Sequence, residues 1–355
     1  MDNYLLQKSM YYYYGMLNDR EKELYKIFLN ALLNMKTTVD ITGSFGASQV
    51  EKIYLYLIND RPDIFWYRGK STLTTRNNMV VQIEFHYVYT AIQIRSIIKD
   101  IENSSLYRLI NSKLSAEKSD VDKMLRLYEL IIQNTEYERN APNAMGNYYE
   151  YAYGLEGVML KHRAVCSGYA KAFQYFASKH NLLCTIVTGQ TKRERHAWNL
   201  VNLYGDYYYI DVTWGDPIFS NTNKDPNYIS YDYFCITTAD LRESHQPVFD
   251  YPMPMCTATK YNYYEYFGLK EMVYSVESIV RHIVNAAEKG KKEVVIKYST
   301  QATYQHAITS LFQKSEIFEA LKIASKYAKG LDTNKIKYST NDANRTITIN
   351  LVRIF

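Results

Sequence analysis

Residues 166–173 read Cys166-Ser167-Gly168-Tyr169-Ala170-Lys171-Ala172-Phe173, residues 195–203 read Arg195-His196-Ala197-Trp198-Asn199-Leu200-Val201-Asn202-Leu203, and residues 207–217 read Tyr207-Tyr208-Tyr209-Ile210-Asp211-Val212-Thr213-Trp214-Gly215-Asp216-Pro217. From Cys166 onward, Ala170, Phe173, Phe176 and Ala177 recur at helical spacing, which predicts an amphipathic helix with the cysteine at its N-terminus. A helix N-terminus presents unpaired N–H groups and a positive partial charge, and both stabilise a thiolate and an oxyanion formed beside it. Leu182–Thr188 reads as a strand. Arg195–Leu203 and Tyr207–Gly215 read as two more, joined by a turn at Tyr204-Gly205-Asp206, so a hairpin is expected. If that turn has two residues, His196 and Asp211 share a face, close enough for a carboxylate to hold an imidazole. A three-residue turn without a bulge would put them on opposite faces.

A thiol at a helix start, then a His and an Asp on adjacent strands, supplies the nucleophile, base and orienting acid that covalent catalysis requires. In that reading His196 takes the proton of Cys166, and Asp211 fixes the imidazole and stabilises its charged form. Taken singly, each residue has an ordinary alternative: a buried small thiol, a core histidine, a turn aspartate. The backbone N–H of Cys166 is one candidate oxyanion donor, and Tyr153 is the nearest side chain by position for a second. Trp198 has the parity of His196 and walls a cleft or fills a sheet core. Tyr207 and Tyr209 share the Asp211 face and are expected to pack on the cysteine helix. His245 reads as a structural histidine. Cys166, Cys184, Cys235 and Cys256 show no CxxC spacing, so neither a disulfide scaffold nor a zinc site is indicated. No acidic calcium loop of the D-x-[DN]-x-[DN]-G kind occurs, and no cofactor is implied.

These boxes, together with Ala152-Tyr153-Gly154-Leu155-Glu156-Gly157 before them and Tyr231-Asp232-Tyr233-Phe234 through Leu241 and His245 after them, resemble the transglutaminase-like superfamily of cysteine enzymes, in its bacterial branch. The resemblance covers the middle of the chain. It implies an α+β, papain-like core in which the cysteine helix packs on an antiparallel sheet carrying the His and Asp. By position Cys166 corresponds to the nucleophile, His196 to the base and Asp211 to the third member. The chain departs from the pattern where a Gly is usual, at His162 or Arg163 before the cysteine and at Asn181 after the helix. The implied activity is acyl transfer from a peptide or amide through a thioester, with water preferred over a Lys amine as acceptor. A catalytically silent module binding protein or cell-wall ligands is the alternative.

Outside this core the chain gives weaker signals. Asn18-Asp19-Arg20-Glu21 opens a helix, Thr37–Thr42 reads as a strand, Ser48-Gln49-Val50-Glu51 opens a second helix that stops before Asp60-Arg61-Pro62, and strands follow at Ile64–Arg68 and around Val81, Ile83 and Phe85. The last hundred residues repeat that order: a helix near Val276–Ala287, a strand at Glu293–Tyr298, helices within His306–Tyr327, and strands at Lys335–Ser339 and Thr346–Val352. Three domains are therefore expected, with two α/β modules at 1–115 and 258–355 flanking a core at 116–257. Within the core, Asp120–Gln133 is an amphipathic helix and the Tyr-rich stretch 136–151 a surface loop.

The chain has 355 residues, of which 47% are apolar and 22% charged, enough to bury a sizeable core and too ordered in composition for disorder. Its 42 Lys and Arg are interleaved with 37 Asp and Glu, which argues against nucleic acid, and no apolar run is long enough for a membrane span. The 37 Tyr suit clefts that grip peptides or sugars, so the expected partner is a protein or peptide substrate. The start lacks the charged and apolar regions of a signal peptide, which suits a cytoplasmic protein if the chain is complete and an exported one if a leader was removed. No signal speaks to oligomeric state.

Overall fold

The computed structural model describes residues 11–141, 148–192, 194–216, 228–248 and 253–353. It is an α+β protein whose sheets are mainly antiparallel, and the chain divides into two compact units, residues 1–258 and 259–355. Among the described residues no helix is long and apolar enough to cross a membrane.

The first unit opens with α1 (Tyr12–Gly15) and α2 (Asp19–Leu33). Asn18 starts α2 through a capping box, its side chain accepting from the Glu21 N–H while Glu21 accepts from the Asn18 N–H. Strand β1 (Thr38–Asp40), α3 (Ala47–Asp60), β2 (Tyr67–Arg76) and β3 (Met79–Tyr87) follow, in a sheet of order β1-β3-β2. Helix α3 starts at Gly46 rather than Ser48, because Gln49 returns to the Gly46 N–H at 3.3 Å. The strand expected from Ile64 begins at Tyr67, since Ile64, Phe65 and Trp66 are all buried and lack the alternation of a half-exposed strand. Two helices without a counterpart in the sequence reading come next, α4 (Ala91–Asn103) and α5 (Ser105–Ala116), capped by Thr90 and Ser104.

Helix α6 (Asp120–Gln133) buries Val121, Leu125, Tyr128, Ile131 and Ile132, the stripe its spacing predicts. The stretch expected as a loop begins with β4 (Glu136–Tyr137), which pairs with β5 (Arg163–Ala164), and ends in a 3₁₀ turn at Glu150–Tyr153; residues 142–147 lie outside the described residues. Helix α7 (Cys166–Lys179), β6 (Leu183–Thr191), β7 (Arg195–Leu203), β8 (Asp206–Ile210), α8 (Thr238–Arg242) and β9 (His245–Pro247) complete the unit. Their sheet is antiparallel throughout, in the order β8-β7-β6-β9. The N-terminal helices share its core: the Tyr13 hydroxyl donates to the Ile186 carbonyl at 2.7 Å, and the Gln174 amide donates to the Asn59 carbonyl at 2.7 Å.

The second unit contains α9 (Tyr263–Tyr266), β10 (Lys270–Glu271), α10 (Val276–Glu288), β11 (Glu293–Tyr298), α11 (Gln301–Ile308), α12 (Glu316–Ala324), β12 (Lys337–Asn341) and β13 (Thr346–Asn350). Its sheet order is β10-β11-β13-β12, with β13 antiparallel to both neighbours and β10 parallel to β11. Helix, strand, helices, strand and strand, with the last strand central and antiparallel to the other two, is also the arrangement of α2 to β3. Ile279, Ile283, Ile296, Leu311 and Ile347 are fully buried in a core of its own. Residues 259–355 expressed alone should therefore unfold cooperatively in urea, and Ile296→Ala should cost about 2–5 kcal/mol of that stability; a non-cooperative melt would show that this unit needs the rest of the chain.

Candidate active site

Helix α7 begins at Cys166 with no side chain capping its start. Its position is fixed from the preceding segment, where Val165 N–H donates to the Ala152 carbonyl at 2.9 Å and the Ser167 hydroxyl donates to the Tyr153 carbonyl at 3.3 Å. Gly168 permits that approach, since a Cβ there would lie 2.5 Å from the Ala152 oxygen and 2.8 Å from the Ala164 Cβ. His162 and Asn181 both adopt the left-handed conformation, at φ 53° and 59°. Cys166 is half-buried, whereas Cys184, Cys235 and Cys256 are buried. Burial raises the pKa of Cys184 and Cys235 and pushes Cys256 up to about 11, so those thiols are poor nucleophiles.

The hairpin turn has two residues, Tyr204 and Gly205, both at positive φ, and pairs Leu203 with Asp206 and Asn199 with Ile210. Asp211, one residue past β8, therefore stands opposite Trp198 and diagonal to His196. Alternation sends Ala197 and Asn199 towards α7, where the Asn199 amide donates to the Ala170 carbonyl at 3.0 Å. Trp198 and Leu200 point the other way and pack with Tyr209, Ile236, Leu241 and Cys256. Of the two readings of Trp198 the structure matches the sheet-core one, since its ring is fully buried and offers no surface to a substrate. The expectation for Tyr207 and Tyr209 is corrected, because both pack on this cluster behind Trp198 rather than on the cysteine helix. Parity told which face these rings occupy, but the covering segment that buries that face comes from later in the chain.

The third strand was expected to run to Gly215 and stops at Ile210 because the Asp211 side chain turns the backbone. Its Oδ1 accepts from the N–H groups of Thr213 at 2.9 Å and Trp214 at 3.1 Å. Its Oδ2 accepts from His196 Nε2 at 2.7 Å and from His245 Nε2 at 3.0 Å. A carboxylate can only accept, so both imidazoles carry a proton on Nε2, which leaves Nδ1 as the other hydrogen-bonding atom of the His196 ring. Burial raises the Asp211 pKa, but the charges and hydrogen bonds of the two histidines outweigh it and hold the carboxyl well below the usual range. Burial likewise pulls His196 down, and Asp211 together with Cys166 pushes it up to about 10.

The remaining candidate sits differently. The Tyr153 hydroxyl is engaged with the Ala141 carbonyl at 3.2 Å, although the ring is near enough to Cys166 for the two charges to interact. Tyr137, which the sequence reading passed over, is half-buried and interacts with Cys166 in the same way. Trp214, also passed over, packs its ring at a tilt, 4.4 Å from His245 and 5.8 Å from His196. His245 is the larger omission: read as structural, it bonds the same carboxylate oxygen as His196. Among the described residues, His196, Asp211 and His245 are also the one His/Cys/Asp/Glu group whose possible ligand atoms lie within 4.8 Å of one another. Their separations are those of N–H···O bonds, and a metal at Oδ2 would have to displace both Nε2 protons, so the group acts as a hydrogen-bond network.

Two outcomes follow from the electrostatics. Asp211, depressed, contributes stability above its unfolded value of about 3.9 that is lost as pH falls through that value towards its folded pKa. His196, raised, contributes stability that is complete below about 6.5 and is lost as pH rises towards its folded value. Urea denaturation of wild type should thus weaken between about pH 6.5 and 10, and Asp211→Asn, which keeps shape but not charge, should flatten that decline; parallel curves would contradict the assigned coupling. Dialysis against EDTA should leave the thermal midpoint unchanged, and a shift would show that the cluster holds a metal.

No family model matches the chain. It is 24% identical over 157 residues to the kyphoscoliosis peptidase of Mus musculus, a match covering 41% of this chain and 23% of that protein, so it spans about a quarter of the curated relative's length. Two solved structures are also similar. A crystallised TGase matches at 14% identity and TM-score 0.29 over 54% of this chain and 55% of its own. A candidate cysteine protease from Cytophaga hutchinsonii matches at 13% identity and TM-score 0.24 over 41% of this chain and 61% of its own. The matched relative is thus a peptidase by name, and this chain, similar to it over part of its length, carries the Cys, His and Asp boxes in order, with a half-buried cysteine at a helix start and His196 bonded to Asp211.

Proposed function

We propose that the protein is a cysteine-dependent acyl-transfer enzyme in which Cys166, His196 and Asp211 form a catalytic triad on a papain-like core spanning residues 116–257, with the segments 1–115 and 258–355 as flanking modules. The observation that carries this reading is the relay itself: an ionised, buried Asp211 holds His196 at 2.7 Å, and His196 in turn interacts with the one cysteine that is not buried. The Cys166 sulfur attacks the carbonyl carbon of a peptide or amide, forming a C–S bond while the C–N bond breaks. His196 delivers from Nδ1 the proton the departing amine needs. Water then attacks the thioester, His196 takes a proton from it, and the C–S bond breaks to regenerate the thiol. The Cys166 N–H, at an uncapped helix start, faces the developing oxyanion. Hydrolysis is favoured over transfer to a Lys amine because the curated relative is named a peptidase.

Iodoacetamide labelling read at each cysteine by mass spectrometry, with hydrolysis assays on a library of peptide amides, tests the proposal. Cys166 should be alkylated far faster than Cys184, Cys235 and Cys256 and lose that lead in His196→Ala. Loss of either residue should cut kcat/KM by about 10³-fold or more. Labelling of Cys166 no faster than of the buried thiols, with hydrolysis unaffected by Cys166→Ala, would remove the triad. Ammonia release that requires an added Lys amine would make the protein a crosslinking transferase instead.

A further inference from the structure

We infer that His245 is a positioning residue for the Asp211–His196 pair, a fourth member of the relay that acts from the far side of the carboxylate; the inference rests on the acyl-transfer reading above. The imidazole comes from β9, an element separate from the hairpin that carries His196 and Asp211, and its side chain is wholly buried. Its Nε2 donates to Asp211 Oδ2 at 3.0 Å, and its Nδ1 exchanges a hydrogen bond with the Ser244 hydroxyl at 2.7 Å. Both nitrogens therefore have partners, and neither is spent on the backbone. Trp214, Trp198 and Tyr233 pack their rings around it at centroid distances of 4.4, 4.9 and 5.7 Å, which fixes its orientation. The titratable groups facing it are Asp211, His196 and the Tyr233 phenol, which also feels the charges of Asp232 and Glu243.

The consequence lies in how one oxygen serves two rings. During acyl transfer His196 must give up its proton to the leaving amine and recover one from water, so its bond to Asp211 strengthens and weakens through the cycle. With His245 on the same oxygen, the carboxylate keeps its plane when that bond weakens. The second N–H also takes a share of the negative charge that would otherwise stabilise the His196 imidazolium alone. Without it, His196 should hold its proton more tightly, which favours the charged pair with Cys166 but slows the proton's delivery to the amine. A histidine that merely filled space would do neither.

The test compares wild type with His245→Phe, which keeps the ring but not the donor, and His245→Gln, whose amide nitrogen can replace Nε2. The readouts are the pH profile of Cys166 alkylation and kcat and KM on a peptide amide cleaved by the wild type. His245→Phe should lower kcat about ten- to a hundred-fold with little change in KM, as for other groups that orient a histidine–carboxylate pair. It should also move the alkaline limb of the alkylation profile to higher pH. His245→Gln should restore both. If Phe and Gln variants match wild type, the inference is wrong. It is equally wrong if both variants are impaired alike, with a lowered thermal midpoint and an unmoved alkaline limb, since that pattern is structural. Should the Phe variant not fold, His245→Asn, whose amide is too short to reach Asp211, takes its place. If wild-type Cys166 is not selectively alkylated, the acyl-transfer reading falls and takes this inference with it; if it is selective and the variants do not differ, the inference alone falls.

Discussion

A carboxylate sealed from water is tolerated only when its lone pairs are met by donors, and Asp211 meets that condition with four. Two of the donors are backbone N–H groups of the turn that Asp211 itself initiates, so the end of β8 and the solvation of the anion are one structure. The other two are imidazoles from β7 and β9, strands that lie on either side of β6. One oxygen atom thus ties the hairpin to the opposite edge of the sheet. The register of β7 against β8 has to be correct for this, because a slip of one residue would turn His196 to the face occupied by α7.

The cysteine is fixed by a second set of contacts that meets the first at the start of β7. The Asn199 amide reaches from the sheet to the Ala170 carbonyl on α7, and the Tyr169 hydroxyl bonds both the Thr135 carbonyl and the Asp216 carboxylate. Cys166 packs beside Ala170, Ile186 and Ala197 at one end of this interface. Cys166 is therefore held by helix-on-sheet packing rather than by loop conformation, which is the kind of support that keeps an atom in one place. The close approach at Gly168 belongs to the same requirement, since any side chain there would lift the first turn away from the Ala152 carbonyl.

How much of this could be read in the sequence depends on whether the signal was local. Cys166 at a helix start, and His196 and Asp211 on one face of a hairpin, follow from period, parity and a Gly in the turn, all visible within about 50 residues of chain. His245 was not legible as a partner, because its contact with Asp211 depends on the path from Ser230 to Ser244, in which only the five-residue α8 is regular. Trp198 shows the limit from the other side: alternation assigned its face, but only the packing of Ile236, Leu241 and Cys256 decides that the face is closed. Tyr153 was placed near the cysteine by sequence proximity alone, and its hydroxyl found a carbonyl at Ala141 that proximity could not foresee. The run Ile64-Phe65-Trp66 misled for a simpler reason, since three buried apolar residues in succession carry no period at all.

The segment that seats the cysteine is itself held from behind. Arg68, on β2, donates to the Glu150 carbonyl at 3.0 Å and pairs with the buried Glu156 carboxylate, which also accepts from the Tyr89 hydroxyl. Lys171, on α7 beyond the first turn from Cys166, is pulled down in pKa by burial and by the Arg68 charge, against the pull of Glu156; burial in turn raises Glu156. The contacts run without a break from β2 through Arg68 to the 3₁₀ turn at Glu150–Tyr153. From there the Ala152 and Tyr153 carbonyls reach Val165 and Ser167 on either side of Cys166. Residues far earlier in the chain therefore bear on the position of Cys166 through a short series of hydrogen bonds. Neutralising Arg68 would leave Glu156 buried without its cation, and the strain would fall on the turn that holds the start of α7.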